Sequence, residues 1–237
     1  MRYLEIDLAR GIAVTLMIIY HFIFDIFYFS SQFNFYWLAA LGASAFILIS
    51  GVCSNISYSR SKNFSKFARR GIKLFFLGMI VTLTSFLLLN KGFILFGVLH
   101  FFALSSFLVY PFLRYFKNRK FYLLSGILII IFGICLSGLR FDTSYFLWLG
   151  LIPNNFYSLD YFPLLPWFGI ILIGIFLGKK FYPEGKRNFK FPAFGGKIVG
   201  LFGFLGKNSL LIYFIHQPII LSILFLSGHA QFLSAFY

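Results

Sequence analysis

Apolar residues fall into seven long runs, at about 8–29, 36–54, 72–90, 93–113, 121–138, 163–178 and 207–227, with the polar and charged residues gathered between them. A run of about 20 apolar residues is what a helix needs to cross a bilayer with every backbone group satisfied internally. The pattern therefore predicts an all-α fold: a single polytopic transmembrane helix bundle over 1–237, with about seven spans. The first run is not a cleaved signal peptide, because His21 and Asp25 interrupt it and no small-residue cleavage pattern follows. Residues 139–162, with Trp148, Pro153, Asn154, Asn155 and Asp160, are too few for two more spans. They read as an external interfacial or re-entrant segment.

Composition agrees with this pattern. The chain is 60% hydrophobic and 11% charged, against roughly 45–50% and about 25% in a soluble domain. A net charge of +15 would suggest nucleic acid in a soluble protein, but its distribution gives another meaning. Two Lys or Arg lie near the amino terminus, six between spans two and three, four between spans four and five, and seven after span six. With simple alternation, 19 of the 21 fall on one side, leaving Lys91 and Arg140 on the other. Cytoplasmic loops carry that excess, so the amino terminus is expected inside and the carboxyl terminus outside a cell membrane, with lipid as the surrounding partner. Cys53 and Cys135 lack metal-ligand spacing and read as packing residues, and no metal is expected. The 37 Phe carry no assigned chemistry. No internal repeat of the inverted-transporter kind is visible.

Ionisable groups inside a span are costly, so each is a functional candidate. His21 and Asp25 are four residues apart on one helix face, where the carboxylate can orient the imidazole as a general base or simply tie the span into the bundle. Arg10 precedes His21 by eleven positions, about 16 Å along a helix. It marks orientation, or binds an anionic donor below a buried base. His100 is expected at a depth similar to His21, in a shared site or an interhelical hydrogen bond. His216 is followed by Gln217 and Pro218, where the proline frees a backbone carbonyl. The basic loop Arg69, Arg70 and Lys73 suits phosphates of a nucleotide-like donor or lipid headgroups. Asp160, at the external mouth, suits an acceptor hydroxyl or amine, or is a solvated acid.

Several stretches carry a resemblance: Glu5-Ile-Asp7-Leu-Ala-Arg10-Gly11 with His21 and Asp25, Gly97-Val-Leu-His100, Asp160 to Gly169, and Lys207-Asn208-Ser209 through Tyr213 to His216-Gln217-Pro218. Together, and in this order, they resemble the heparan-alpha-glucosaminide N-acetyltransferase catalytic-domain-like family of bacterial and archaeal membrane proteins. The Arg-x10-His spacing and the closing Asn-Ser-x-x-x-Tyr-x-x-His also resemble the broader transmembrane acyltransferases, including the acyltransferase-3 family. The resemblance implies acyl transfer from cytoplasmic acyl-coenzyme A to an extracytoplasmic sugar, with Arg10 on the donor side, His21 catalytic and Asn208 in a supporting motif. The lysosomal enzyme that names the family has its catalytic histidine in the loop after the first span. Here that loop has Ser30, Ser31, Gln32 and Asn34 but no histidine, so either His21 serves instead, as in the acyltransferase-3 pattern, or the chain is not an acyltransferase of that kind.

The resulting expectation is a transmembrane acyltransferase that uses acetyl-coenzyme A or another acyl-coenzyme A. His21 would be base or acyl carrier, Asp25 its partner, Arg10, Arg69, Arg70 and Lys73 the donor-binding residues, and His100, Asp160, His216 and Asn208 acceptor-side or supporting. The acceptor is expected to be a sugar or glycan, with no nucleic acid involved, and a homo-oligomer is compatible with the chain. The competing expectation is a transporter or flippase for a sugar, lipid or proton-coupled solute, with His21, Asp25, His100 and His216 forming a polar path.

Overall fold

The computed structural model describes residues 2–27, 36–89, 91–142, 144–192 and 195–228. The fold is α-helical, with eight helices among the described residues: α1 (Leu4–Phe27), α2 (Tyr36–Ser61), α3 (Phe64–Leu88), α4 (Val98–Tyr115), α5 (Arg119–Ser137), α6 (Leu164–Phe181), α7 (Lys197–Lys207) and α8 (Ser209–Leu226). All but α7 are long and apolar enough to cross a membrane. This is a multi-pass membrane protein with the seven spans expected from the sequence.

Several span ends differ from the expected ones, each for a local reason. The second helix continues past 54 to Ser61, because backbone hydrogen bonding outlasts the apolar run. The third begins at Phe64, where the Asn63 side chain caps the Ser65 N–H, so Arg69, Arg70 and Lys73 lie on the early turns of a helix and not in a loop. The fourth begins at Val98 and not at 93, because residues 92–96 bond to the external segment instead. Leu159 N–H donates to the Gly92 carbonyl, Phe162 N–H to that of Phe96, and the Ser158 hydroxyl to that of Phe93. That external segment, expected as 139–162, carries two short parallel strands, β1 (Arg140–Phe141) and β2 (Ile152–Pro153). It ends with the Leu164 and Leu165 N–H groups bonded to the carbonyls of Trp148 and Leu149.

The chain forms two compact units, and α2 runs from one into the other. The first comprises Met1–Ile49 and Phe189–Ser234. In it α1 packs on α7 and α8 at very close range, because glycines stand at the crossings. A Cβ on Gly206 would overlap the Asp7 carbonyl, and one on Gly11 would overlap that of Phe202. Small residues that let backbones approach are the usual means of helix association in membranes. Ala13, Val14, Ile47, Ile220 and Leu224 are buried in this unit.

The second unit covers Ser50–Asn188 and pairs α3 with α4 and α5 with α6. Gly126 and Gly169 face one another across the α5–α6 contact, each close to the other's carbonyl. The buried Tyr122 hydroxyl lies 2.8 Å from the Phe112 carbonyl and 2.6 Å from that of Phe116, tying α5 to the end of α4. Outward faces of α3 and α5 expose Phe76, Leu83, Leu87, Leu128 and Phe132. Such faces are at home against lipid. Cys135 lies exposed on α5 and Cys53 is half-buried on α2, both as thiols.

Candidate active site

Three ionisable side chains of the first unit, His21, Asp25 and His216, lie where α1 faces α8. His21 is half-buried on α1, and its ring centroid lies 4.9 Å from that of His216 on α8, with the planes 58° apart. One turn further along α1, Asp25 accepts a 2.8 Å hydrogen bond from the Gln217 amide, again from α8. Two neighbouring residues on one helix thus meet two residues four apart on the other. The 3.6-residue repeat of α1 makes this possible, since it puts His21 and Asp25 on the same face.

The expected hydrogen bond from the His21 ring N–H to the Asp25 carboxylate is absent among the described residues. The carboxylate turns to Gln217, which sequence reasoning had noted only as a neighbour of Pro218. An amide inside an apolar span was the available signal, because a polar group there must find an interhelical partner. A structural bond between the helices therefore sits beside the histidines, and it fixes their register. Tyr20 packs edge-on against the His21 ring at 5.3 Å, and Tyr213 lies 5.7 Å from His216.

His216 is 7% exposed, and its Nδ1 lies 2.6 Å from the Tyr213 carbonyl. A carbonyl oxygen only accepts, so this contact requires the proton on Nδ1. Nε2 is then an acceptor, and it is buried with no protein hydrogen-bond partner among the described residues. The Gln217 Oε1 is buried and unpartnered in the same sense. Polar groups in this state cost free energy unless something donates to them. The α1–α8 contact therefore presents two acceptor atoms suited to an N–H or O–H group.

Arg10 lies half-buried on α1. On this unbroken helix its distance of about 16 Å from His21 amounts to about three turns, so both occupy one face. Asn208 stands between α7 and α8 and donates to the Phe204 carbonyl at 2.9 Å, closing the end of α7. Its observed role is that of a helix cap. The loop containing Ser30, Ser31, Gln32 and Asn34 lies outside the described residues.

Other expected residues belong to the second unit. His100 is buried against Gly78, with its ring 6.0 Å from Phe75 and 5.8 Å from Phe96, and its Nδ1 has no protein hydrogen-bond partner among the described residues. Arg70 turns inward to donate to the Ser50 hydroxyl at 2.9 Å, in a recess that also includes Ser54, Ser105 and Ser106. Arg69 and Lys73 are exposed. The three cations thus divide into one half-buried and turned inward and two at the surface. Asp160 is not a solvated loop acid: its Oδ2 accepts from the Val98 N–H at 3.1 Å, at the start of α4. Burial pushes its carboxyl up to about 6, and the Val98 bond offsets this only in part. Burial likewise raises the neighbouring Tyr161 phenol, which donates to the Leu147 carbonyl. Among the described residues no cluster of His, Cys, Asp or Glu is placed to hold a metal ion.

Neither a curated protein nor a solved structure matches the chain. A protein family does: residues 2–218 match the family described as heparan-alpha-glucosaminide N-acetyltransferase, catalytic, and the chain belongs to that family of acetyltransferases.

Proposed function

We propose that this membrane acetyltransferase moves an acetyl group from cytoplasmic acetyl-coenzyme A to an amine or hydroxyl of an extracytoplasmic sugar or glycan, with His21 at the point of transfer. The observation that carries the reading is the meeting of His21 with His216 beside the Asp25–Gln217 bond. The sequence supports the direction, because the asymmetric loop charge puts the amino terminus, and with it Arg10, on the coenzyme A side. Arg10 then holds the anionic donor three turns below the histidine.

The chemistry needs one base and one leaving group. The acceptor's lone pair forms the bond to the thioester carbonyl carbon, and His21 takes the proton from the acceptor nitrogen or oxygen. The carbon–sulfur electron pair leaves on coenzyme A, whose thiolate recovers that proton from the imidazolium. A positioned histidine contributes about 10²–10⁴-fold in such a step. If His21 is acylated first, the same atoms are exchanged in two stages.

The test uses full-length protein in liposomes, with radiolabelled acetyl-coenzyme A on the side of the amino terminus and a panel of amino sugars and glycans on the other. Labelled acceptor on the far side, formed in step with coenzyme A release, is the expected result. Movement of an unmodified sugar or solute that depends on His21, without coenzyme A release, would instead establish the transporter reading.

A further inference from the structure

Resting on that reading, we propose that His216 is the positioning residue of His21: its Nε2 accepts the His21 ring N–H in the working complex, so that the opposite nitrogen of His21 faces the acceptor. Sequence spacing had assigned this task to Asp25, but Asp25 is bonded to Gln217. His216 meets the requirements in three respects. Its tautomer is set by the Tyr213 carbonyl, which accepts a hydrogen bond from the Nδ1–H. Its Nε2 is a buried acceptor without a protein hydrogen-bond partner among the described residues. Its ring is also the neighbour of His21, 4.9 Å between centroids. At that centroid distance, ring nitrogens turned toward one another along the line of centres come within hydrogen-bond range. Such contacts tighten on formation of the reacting complex.

The arrangement repeats the logic of a base held by a third group, with a neutral imidazole in place of the carboxylate. When His21 takes the acceptor's proton, its second N–H is already directed at His216 Nε2, which stabilises the imidazolium by a hydrogen bond. No proton needs to leave the pair, because the leaving thiolate recovers it from His21. A neutral partner also avoids placing a charge directly on the catalytic ring, a costly choice inside the membrane.

Two substitutions separate this role from simple packing. His216→Asn keeps an N–H where Nδ1 donates to Tyr213 but has nothing at the Nε2 position. His216→Gln places an amide oxygen near the Nε2 position and gives up the Tyr213 bond. Positioning predicts that kcat falls about 10²-fold or more in His216→Asn with KM little changed, and that His216→Gln retains the higher kcat of the two. A packing role predicts the reverse order, with His216→Asn near wild type, and that result would overturn the proposal. Nitrogen-15 magnetic resonance of the labelled full-length protein supplies a readout independent of turnover and of how either variant folds. A protonated Nδ1 and bare Nε2 on His216 is the expected result, and a protonated Nε2 would overturn the proposal. If the wild-type protein transfers no acetyl group to any acceptor, the reading of function falls and this inference with it, whereas transfer by a protein whose His216 is protonated on Nε2 overturns this inference alone.

Discussion

Replacing Asp160 by Asn should remove the pH dependence that this residue imposes on stability. Burial raises its carboxyl from 3.8 to about 6, while the Val98 N–H bond pulls the other way and loses. That displacement corresponds to about 3 kcal/mol between the charged and neutral forms. The positive end of α4 favours the charged form, but such an effect is worth about 0.3–1 kcal/mol and up to about 2 in partly buried sites, so it does not decide the sign. The folded protein holds its proton to higher pH than the unfolded chain. The contribution of Asp160 is therefore complete below pH 3.8 and is lost as pH rises through about 6. Asn at this position keeps an oxygen for the Val98 N–H but cannot ionise. Thermal unfolding of both proteins in one detergent, from pH 3.5 to 7.5, should give similar midpoints at the acid end. At the neutral end Asp160→Asn should melt higher, by about 6–12 °C if the full 3 kcal/mol is expressed at about 2–4 °C per kcal/mol. A wild type that gains on the variant as pH rises would refute the reasoning, because it would mean the charged carboxylate is the better partner for α4.

The helix contacts and the inward arginine yield further tests. Gly206→Ala places a methyl against the Asp7 carbonyl on α1 and should cost about 1–3 kcal/mol, whereas Gly200→Ala, with nothing near it, should stabilise or leave stability unchanged in the same melt. Arg70→Met leaves the Ser50 hydroxyl without its donor and should lower the melting temperature, whereas Lys73→Met, at an exposed position, should change it little but weaken binding to anionic vesicles if headgroups are its partner. Gln217→Leu removes the bond to Asp25 and leaves a carboxylate without its partner, so kcat should fall with a loss of stability, and Gln217→Asn should restore neither fully.

The number of spans was legible because lipid demands long apolar runs, whatever the helices then do with each other. Their ends were less legible, since hydropathy reports which residues suit lipid and not where backbone bonding stops. Ser57 to Ser61 remain helical although polar, with the Ser61 hydroxyl bonded to the Ser57 carbonyl. Helix α7 was missed altogether: Gly200, Gly203 and Gly206 argue against a helix by propensity, and its packing on α1 overrides them. At the site, the sequence put His21 and Asp25 on one face of a helix but could not say what the opposite helix would bring to that face. His216 was recognised as a candidate, while Gln217 gained its meaning only from the α1–α8 contact. Asp160 reads from the sequence as an external acid that serves an acceptor or solvent, and its bond to Val98 depends on a contact between segments more than 60 residues apart, beyond the reach of local spacing.

The most direct test of acetyl transfer at His21 compares acetyl-coenzyme A turnover by wild-type protein and His21→Ala, purified in the same detergent with the acceptor that serves the wild type best and matched by melting temperature. Coenzyme A release and acetylated acceptor should fall together by about 10²–10⁴-fold in the variant. A folded His21→Ala protein that turns over at the wild-type rate would contradict the assignment of the reaction centre to the α1–α8 contact.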